Sequence, residues 1–540
     1  MPYSVRVPSA MSSKSFHSPG ALNRTEVFAV HGANPEVLAY AMAKYSRSAL
    51  SMRESLSEIS AQSAEQFLNT FYFQYGHRSI ADLAHIAVAL ERLSLLAAIV
   101  LVDEQRWDGQ ERSTRYQNFL KSGWYLPDFG QDSASREVYS ETIGKLFSAY
   151  QRTTVAVLEA LRRHVPCPET LKPEAYERTL KARSFDVARY LLPLATNTSL
   201  GQIVNARTLE SQVSRLLSHP VAEVRDLGAR IREAALGPAW NVQEQAGAAL
   251  VEKLTQSGEP ALAAEAASLL TREIRSAPTL VKYAHANRYQ METRTELAAA
   301  ACELLAALPI PQSPVVDLVE RTESLEVELA STLLYSAAHH PYRQIRDLVA
   351  GLPASRVAEI IELGLHHRGR HDEALRAFHA GAALRFDIFM DIGGFRDMHR
   401  HRRCTQILQP FTAVHGYETP DSGDLPSGAS ILAEAGILAD FRSAVEQAHA
   451  ASARLAAAPA PEAAQSALYL LPLATRIRCL FKMDFAEAQY ICELRSGPAG
   501  HFSYRRVARE MFLAIERQYP GLARHIRVAD FSQPIDLLQR

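Results

Sequence analysis

Glu111, Ser113 and Arg115 stand at alternate positions in the segment ERSTRY. In an extended chain alternate side chains share a face. A carboxylate, a hydroxyl and a guanidinium would then converge, a set suited to a phosphorylated ligand that also offers hydrogen bonds. The planar fork of arginine matches phosphate, and serine adds a short donor. The same pattern also describes a polar edge strand with a surface ion pair. A second concentration of charge is HRHRR, His399–Arg403, after a strand-to-helix transition. Consecutive helical residues fan around the axis, so they cannot all face one ligand. At a helix end they would either rim an anionic pocket or complement the helix dipole. Aromatic residues are not interleaved with this run, which disfavours single-stranded nucleic acid.

Further polar clusters flank a repeated segment. ARYLLPLAT (Ala188–Thr196) recurs as ALYLLPLAT (Ala467–Thr475), identical at eight of nine positions. Arg189 lies in the first copy and Asn205-Ala206-Arg207 follows it. Arg495, His501 and Tyr504 follow the second. Basic residues beside a Gly/Pro turn could bind phosphate or cap a helix end. Zinc-protease, nucleophile-elbow, P-loop and dinucleotide motifs are all missing in their proper context. HHRGRH, His366–His371, has no carboxylate or thiol partner at a recognised spacing, so no metal is expected. The five cysteines form no CxxC pair, which suggests neither a zinc site nor a disulfide framework.

These residues need elements to hold them. A chain of 540 residues exceeds what one core supports. Before each LPLAT copy lies a period-two apolar run entering a helix-like segment. The first is Ile86, Val88 and Leu90; the second is Leu384, Phe386 and Ile388. We therefore expect repeat 1 at 20–235, a helical connector at 236–315 rich in Ala, Glu and Leu, and repeat 2 at 316–530. Residues 1–19 are expected to be disordered, and 531–540 form a tail. The net charge is −1, the longest apolar run (Leu95–Val102) is far too short to cross a bilayer, and the N-terminus has no apolar leader. The expectation is a cytoplasmic protein with a small-molecule partner and neither membrane nor nucleic-acid polymer.

The combined spacing resembles the flavin-dependent thymidylate synthases. Their signature R-H-R-x-x-S-x-N-E-x-S-x-R-Y is followed downstream by A-R-x-x-L-P, N-x-R and a late L-R. Repeat 1 has YGHRS (Tyr75–Ser79), the second half of the signature as Glu111, Ser113, Arg115 and Tyr116, then Ala188, Arg189, Pro193, Asn205 and Arg207. It lacks R-H-R, where Asp103, Glu104 and Gln105 stand, and has Leu216 at the late arginine. Repeat 2 has Arg400, His401 and Arg402 for R-H-R and Arg495 for the late arginine, but loses the remainder of the signature. Leu468 replaces the arginine of A-R-x-x-L-P, and Asp484 with Ala486 replaces N-x-R.

The resemblance implies an α+β fold of two fused thymidylate synthase complementing protein-like units. It implies FAD as cofactor, NADPH and methylenetetrahydrofolate as co-substrates, and methylation of dUMP to dTMP without a cysteine nucleophile. Active sites would lie between units, with a homodimer equivalent to the family's tetramer. By carry-over, Arg400, His401, Arg402, Asn205, His77 and Ser79 would contact the flavin. Ser113, Arg115 and Arg189 would hold the nucleotide phosphate, Glu111 would face the site, and Arg495 would lie against the pyrimidine. The division of the signature leaves two other readings: a different pyrimidine nucleotide as substrate, or a non-catalytic flavin- or nucleotide-binding scaffold.

Overall fold

The computed structural model describes residues 34–44, 78–271, 273–281, 284–369, 372, 374–420, 425, 428–530 and 537–538. The first period-two run forms strand β1 (His85–Ser94), which buries Ile86 and Leu90. It runs into helix α1 (Leu95–Leu101), where the Ser94 hydroxyl caps the N-terminus by accepting from the Ala97 N–H. After α1 come β2 (Asp108–Glu111), the long helix α2 (Ser133–His164), α3 (Pro173–Ala188), β3 (Asn197–Asn205), α4 (Ala206–Leu217) and α5 (Ala222–Leu236). β3 is central, antiparallel to β1 on one side and to β2 on the other.

The connector region carries the helices Glu244–Gln256 and Pro260–Leu270 and then α6 (Arg288–Leu305). Pro309, Pro311 and Pro314 follow α6 in extended chain.

Repeat 2 restates the first plan. A short β4 (Val316–Leu318) precedes β5 (Leu384–Asp391), which enters α7 (Ile392–Met398). Then come β6 (Thr405–Leu408), α8 (Leu438–Ala456), β7 (Arg476–Met483), α9 (Phe485–Ser496) and α10 (Phe502–Gln518). The sheet order is β4-β5-β7-β6, with β7 in the place of β3. β5 is buried along almost its whole length, because the polar residues that alternate with its apolar ones, Arg385, Asp387 and Asp391, find buried partners in Glu323, Arg478 and Tyr190.

The two LPLAT segments pair with each other. The Leu194 N–H donates to the Leu471 carbonyl at 2.9 Å and the Leu473 N–H to that of Leu192 at 3.0 Å. The Ala195 N–H donates to Tyr469 and the Ala474 N–H to Tyr190, both at 3.0 Å. Exchanging the repeats converts each bond into its counterpart, so a local twofold axis passes beside the Pro193–Pro472 bridge. The main apolar core is continuous across this seam and contains residues of both repeats. A smaller core lies among α6, the helix Leu325–Tyr335 and its neighbours.

Candidate functional site

Polar residues concentrate where the repeats meet. Asp186, in the last turn of α3, and Arg189, three residues on, lie on one side of the chain. Arg115 reaches Asp186 with both arms, Nε to Oδ1 at 2.9 Å and Nη2 to Oδ2 at 3.1 Å. Its remaining donors cross into repeat 2, to the Tyr504 hydroxyl at 3.0 Å and the Ala499 carbonyl at 3.2 Å. Arg189, 1% exposed, donates to Asp397 of α7 at 3.2 Å. Burial alone would raise the Asp186 carboxyl, but His501, Arg115 and Arg189 bring it well below its ordinary range. Asp397 is lowered in the same way, against its burial, by Arg189, Arg115 and Arg400. Burial takes the His501 imidazole down to about 3, so it is neutral at pH 7.

The halves of the divided signature meet at this seam within one chain. Arg396 of α7 forms an ion pair with Glu111 and donates to the Thr114 hydroxyl at 3.3 Å. α7 ends at Met398, so the R-H-R residues lie beyond it in a turn and fan out as expected. Arg400 is exposed. His401 is buried and accepts from Arg495 Nε at its Nε2, 2.8 Å away. Its Nδ1 therefore carries the proton and faces Glu487 at 3.5 Å. Burial is the main cause holding this histidine below its usual range. Arg402 lies over the Trp107 ring of repeat 1, 4.5 Å from its centroid. Gly109 makes room for that ring, because an added Cβ would come within 2.6 Å of it and 2.4 Å of the Gly201 carbonyl.

On the other side of the axis, two of the three residues replacing R-H-R are engaged within the chain, while Gln105 is exposed. Asp103 forms an ion pair with Arg376, and Glu104 pairs with Arg215 at 2.7 Å. Glu104 stands at the position of His401, but its partner Arg215 is one residue before Leu216, the position equivalent to Arg495.

Several sequence expectations change. ERSTRY does not extend as a strand: β2 ends at Glu111, and Ser113 and Arg115 lie in the following turn, with the Arg115 N–H 3.3 Å from Ser113 Oγ. The pull of Asp186 on Arg115, a contact 71 residues apart, accounts for the departure from alternation. Arg115 and Arg189, expected on a phosphate, are instead engaged by buried aspartates. Asn205 caps α4 by accepting from the Thr208 N–H at 2.8 Å. Its counterpart Asp484 caps α9 likewise from Glu487, also at 2.8 Å. Ser79 lies in the turn Arg78–Leu83, and His77 lies outside the described residues. HHRGRH does have carboxylate partners: His366 and His367 meet Glu292 and Glu296 of α6.

Sequence reasoning missed Trp107, Asp186, Arg396, Asp397 and Glu487. The i,i+3 pair Asp186/Arg189 and the D-x-x-E pattern at Asp484/Glu487 were available signals. The remaining three had none. Cys404, Cys479 and Cys492 are buried, and burial pushes the Cys404 and Cys492 thiols up to about 12 and Cys479 upward as well. All three are therefore protonated thiols at neutral pH.

A buried triad repeats across the axis with its groups exchanged. Glu223 of α5 accepts from the Ser94 hydroxyl at 2.6 Å and from Tyr469 of repeat 2 at 2.8 Å. In the mirror position, Asp391 accepts from Ser503 of α10 and from Tyr190 of repeat 1, the latter at 2.8 Å. The carboxylate sits on the helix in one repeat and at the cap in the other. Burial raises both carboxyls. Gly394 is required here, since an added Cβ would lie 2.5 Å from Ser503 Oγ.

The family model for thymidylate synthase complementing protein matches residues 29–236 and again 319–521. A UPF0159 protein of Chlamydia muridarum is 28% identical, covering 92% of this chain and 91% of its own length. A flavin-dependent thymidylate synthase of Clostridium tetani is 25% identical over 177 residues, 33% of this chain and 67% of that protein. A solved structure of flavin-dependent thymidylate synthase from Helicobacter pylori, complexed with FAD and dUMP, is 16% identical. It covers 37% of this chain and 89% of its own, at a TM-score of 0.23.

Proposed function

The chain belongs to the thymidylate synthase complementing protein family, which matches it twice, and from that premise we propose that it is a flavin enzyme acting on a uracil-type nucleotide. The default reaction is methylation of dUMP to dTMP, with methylenetetrahydrofolate as carbon donor and NADPH as reductant. The observation that carries this reading is that both halves of the divided signature meet at one seam, through the Glu111–Arg396 ion pair and the Arg402–Trp107 stack.

The residues present suit an anionic cofactor. Arg400 is exposed beside this seam, and the Nε atoms of Arg396 and Arg402 are buried without a hydrogen-bond partner, a donor set that suits an anion. FAD, when bound, would supply hydride chemistry. In this reading Arg400 and Arg402 hold its diphosphate, and Arg402 is aimed by the Trp107 face. His401, neutral and fixed between Glu487 and Arg495, orients the arginine. Arg495 then offers its other N–H groups to a pyrimidine on which negative charge develops. Asn205, Ser79 and His77 remain candidates for the flavin edge. Glu111 holds Arg396 in the cleft, and in this reading Ser113 donates to the nucleotide phosphate. Arg115 and Arg189 act as positioning residues, because Asp186 and Asp397 already engage them. The buried thiols fit a reaction that needs no cysteine nucleophile. A homodimer would complete the cleft.

The engagement of Arg115 by Asp186 favours a second reading, in which the enzyme takes a different pyrimidine nucleotide. One experiment separates these. The purified protein is inspected for a flavin spectrum, then incubated with NADPH, methylenetetrahydrofolate and dUMP, dCMP or UMP, with products identified by mass. A methylated dUMP supports the first reading and another methylated nucleotide the second. A colourless protein that ignores added FAD refutes both and leaves a scaffold.

A further inference from the structure

His366 and His367 take no part in the seam. α6 carries Glu292 and Glu296 four residues apart, on one helix face. The turn after the helix Ala354–Leu363 brings His366 and His367 against that face. His366 Nδ1 lies 2.9 Å from the Glu362 carbonyl oxygen. A carbonyl only accepts, so this Nδ1 carries a proton. His367 Nδ1 lies 2.8 Å from Glu292 Oε2, so this ring has a carboxylate at each nitrogen. Both Nε2 atoms then turn to one carboxylate. His366 Nε2 is 3.0 Å from Glu296 Oε2, and His367 Nε2 is 2.8 Å from Glu296 Oε1.

A neutral His366 with its proton on Nδ1 aims the Nε2 lone pair at an anion, which is repulsive. Either a second proton on each ring or a cation among the three donors removes the repulsion. The ring centroids are only 3.8 Å apart, so one ion can reach both rings. A cation among these donors takes the Nε2 lone pair of each ring and the charge of Glu296 together.

The geometry points to a site for a divalent transition metal of the zinc class, held by Glu296 and the Nε2 atoms of His366 and His367, with Glu292 orienting His367. The donor atoms lie within 4.8 Å of one another, and bonds of about 2.0–2.2 Å would draw them together with small side-chain movements. Two imidazoles and a carboxylate suit zinc, cobalt or nickel, whereas magnesium and calcium prefer oxygen alone. The Glu292–His367 contact is the carboxylate–histidine arrangement that fixes a metal ligand's tautomer. Side-chain exposures of 21% for His367, 32% for His366 and 37% for Glu296 give an ion entry from solvent and leave a coordination position open. The site joins α6, in the connector, to a turn of repeat 2.

The test uses the full-length protein, stripped by chelator. Zn2+ is titrated calorimetrically, and Co2+ is followed by its visible ligand-field bands. The wild type binds a single tight equivalent and shows the intense bands of low-symmetry cobalt. The His366→Ala/His367→Ala variant loses that equivalent, and the isosteric Glu296→Gln variant weakens it without disturbing the fold. Glu292→Ala keeps the stoichiometry but loses about 10–100-fold in affinity. Tight binding that persists unchanged in the double histidine variant overturns the assignment. So does a wild type that binds no Zn2+ and gives only the spectrum of hydrated cobalt, which leaves protons to neutralise the cluster.

Discussion

Replacing Arg189 by leucine, the residue at the equivalent place in repeat 2, tests the buried charge network directly. Arg189 is 1% exposed and lies 3.2 Å from Asp397 and 3.5 Å from Asp186. Removing one partner of a buried pair costs about 3–5 kcal/mol. Asp186 keeps both arms of Arg115, so the deficit falls on Asp397, and about 3 kcal/mol is expected. With an unfolding entropy of roughly 2.1 cal/mol/K per residue, that lowers Tm by about 3 °C if the whole chain melts together. It lowers Tm by about 7 °C if one repeat of roughly 200 residues melts alone. In the wild type Asp397 is held below its usual range, so its contribution is present above the unfolded pKa and is lost as pH falls. Without Arg189 its carboxyl is buried without that partner and rises, so the variant's deficit grows as pH increases from 5 to 8. Arg189→Leu/Asp397→Asn removes both charges and recovers most of the loss, a coupling of about 2 kcal/mol. Urea unfolding followed by tryptophan fluorescence measures all four proteins. A single-variant cost below about 1 kcal/mol, or strict additivity with Asp397→Asn, refutes the view that these charges are coupled.

Three further outcomes follow from the same geometry. Arg400→Ala/Arg402→Ala should weaken FAD binding by about 10²–10⁴-fold, since charge-assisted contacts contribute about 1.5–3 kcal/mol each; unchanged flavin fluorescence titrations refute the assignment. His501, at about 3 in the fold against an unfolded value near 6.5, keeps its full contribution above pH 6.5 and loses it as pH falls, because the unfolded chain takes the proton first. The slope is up to about 1.4 kcal/mol per pH unit, and His501→Asn should reduce the slope of urea midpoints between pH 6.5 and 5 by that share; an unaltered slope counts against it. Ser94→Asp and Glu223→Ser should each destabilise by about 1–3 kcal/mol, while the two together reproduce the arrangement of repeat 2 and recover most of the loss in Tm; a double variant no better than the worse single one shows that the exchanged triads are not equivalent.

The duplication was legible because its signals are local. A nine-residue near-identity, period-two strands and helix-forming composition are all readable within a few residues. The R-H-R turn was legible for the same reason, as was the helix end before it. ERSTRY was misread as a strand because its shape is set by Asp186, and no rule of local spacing connects residues so far apart. The partners of HHRGRH were missed on the same ground, since Glu292 and Glu296 arrive from a helix that precedes the histidines by about seventy residues. Trp107 and Arg396 had no sequence signal at all. Their roles arise from the seam, which exists only once the two LPLAT segments have paired.

That seam explains how a signature can divide. When two identical subunits meet on a twofold axis, every position occurs twice in the same surroundings, and a change improves or damages both copies together. Fusing the units in one chain makes the positions on either side of the axis independent. The exchanged triads record the result in a neutral form: Glu223 with Ser94 on one side, Asp391 with Ser503 on the other, each carboxylate still accepting from a tyrosine of the opposite repeat. One carboxylate and one hydroxyl are kept, so burial is satisfied either way. At Asp103 and Arg400 the same freedom has a different outcome. Asp103 forms an internal ion pair with Arg376, while Arg400 stays exposed. Ion pairing of Asp103 gives that side a structural role, while Arg400 on the other side keeps its guanidinium toward solvent. At this position the side left open to an anion is the one whose counterpart across the axis has been turned inward.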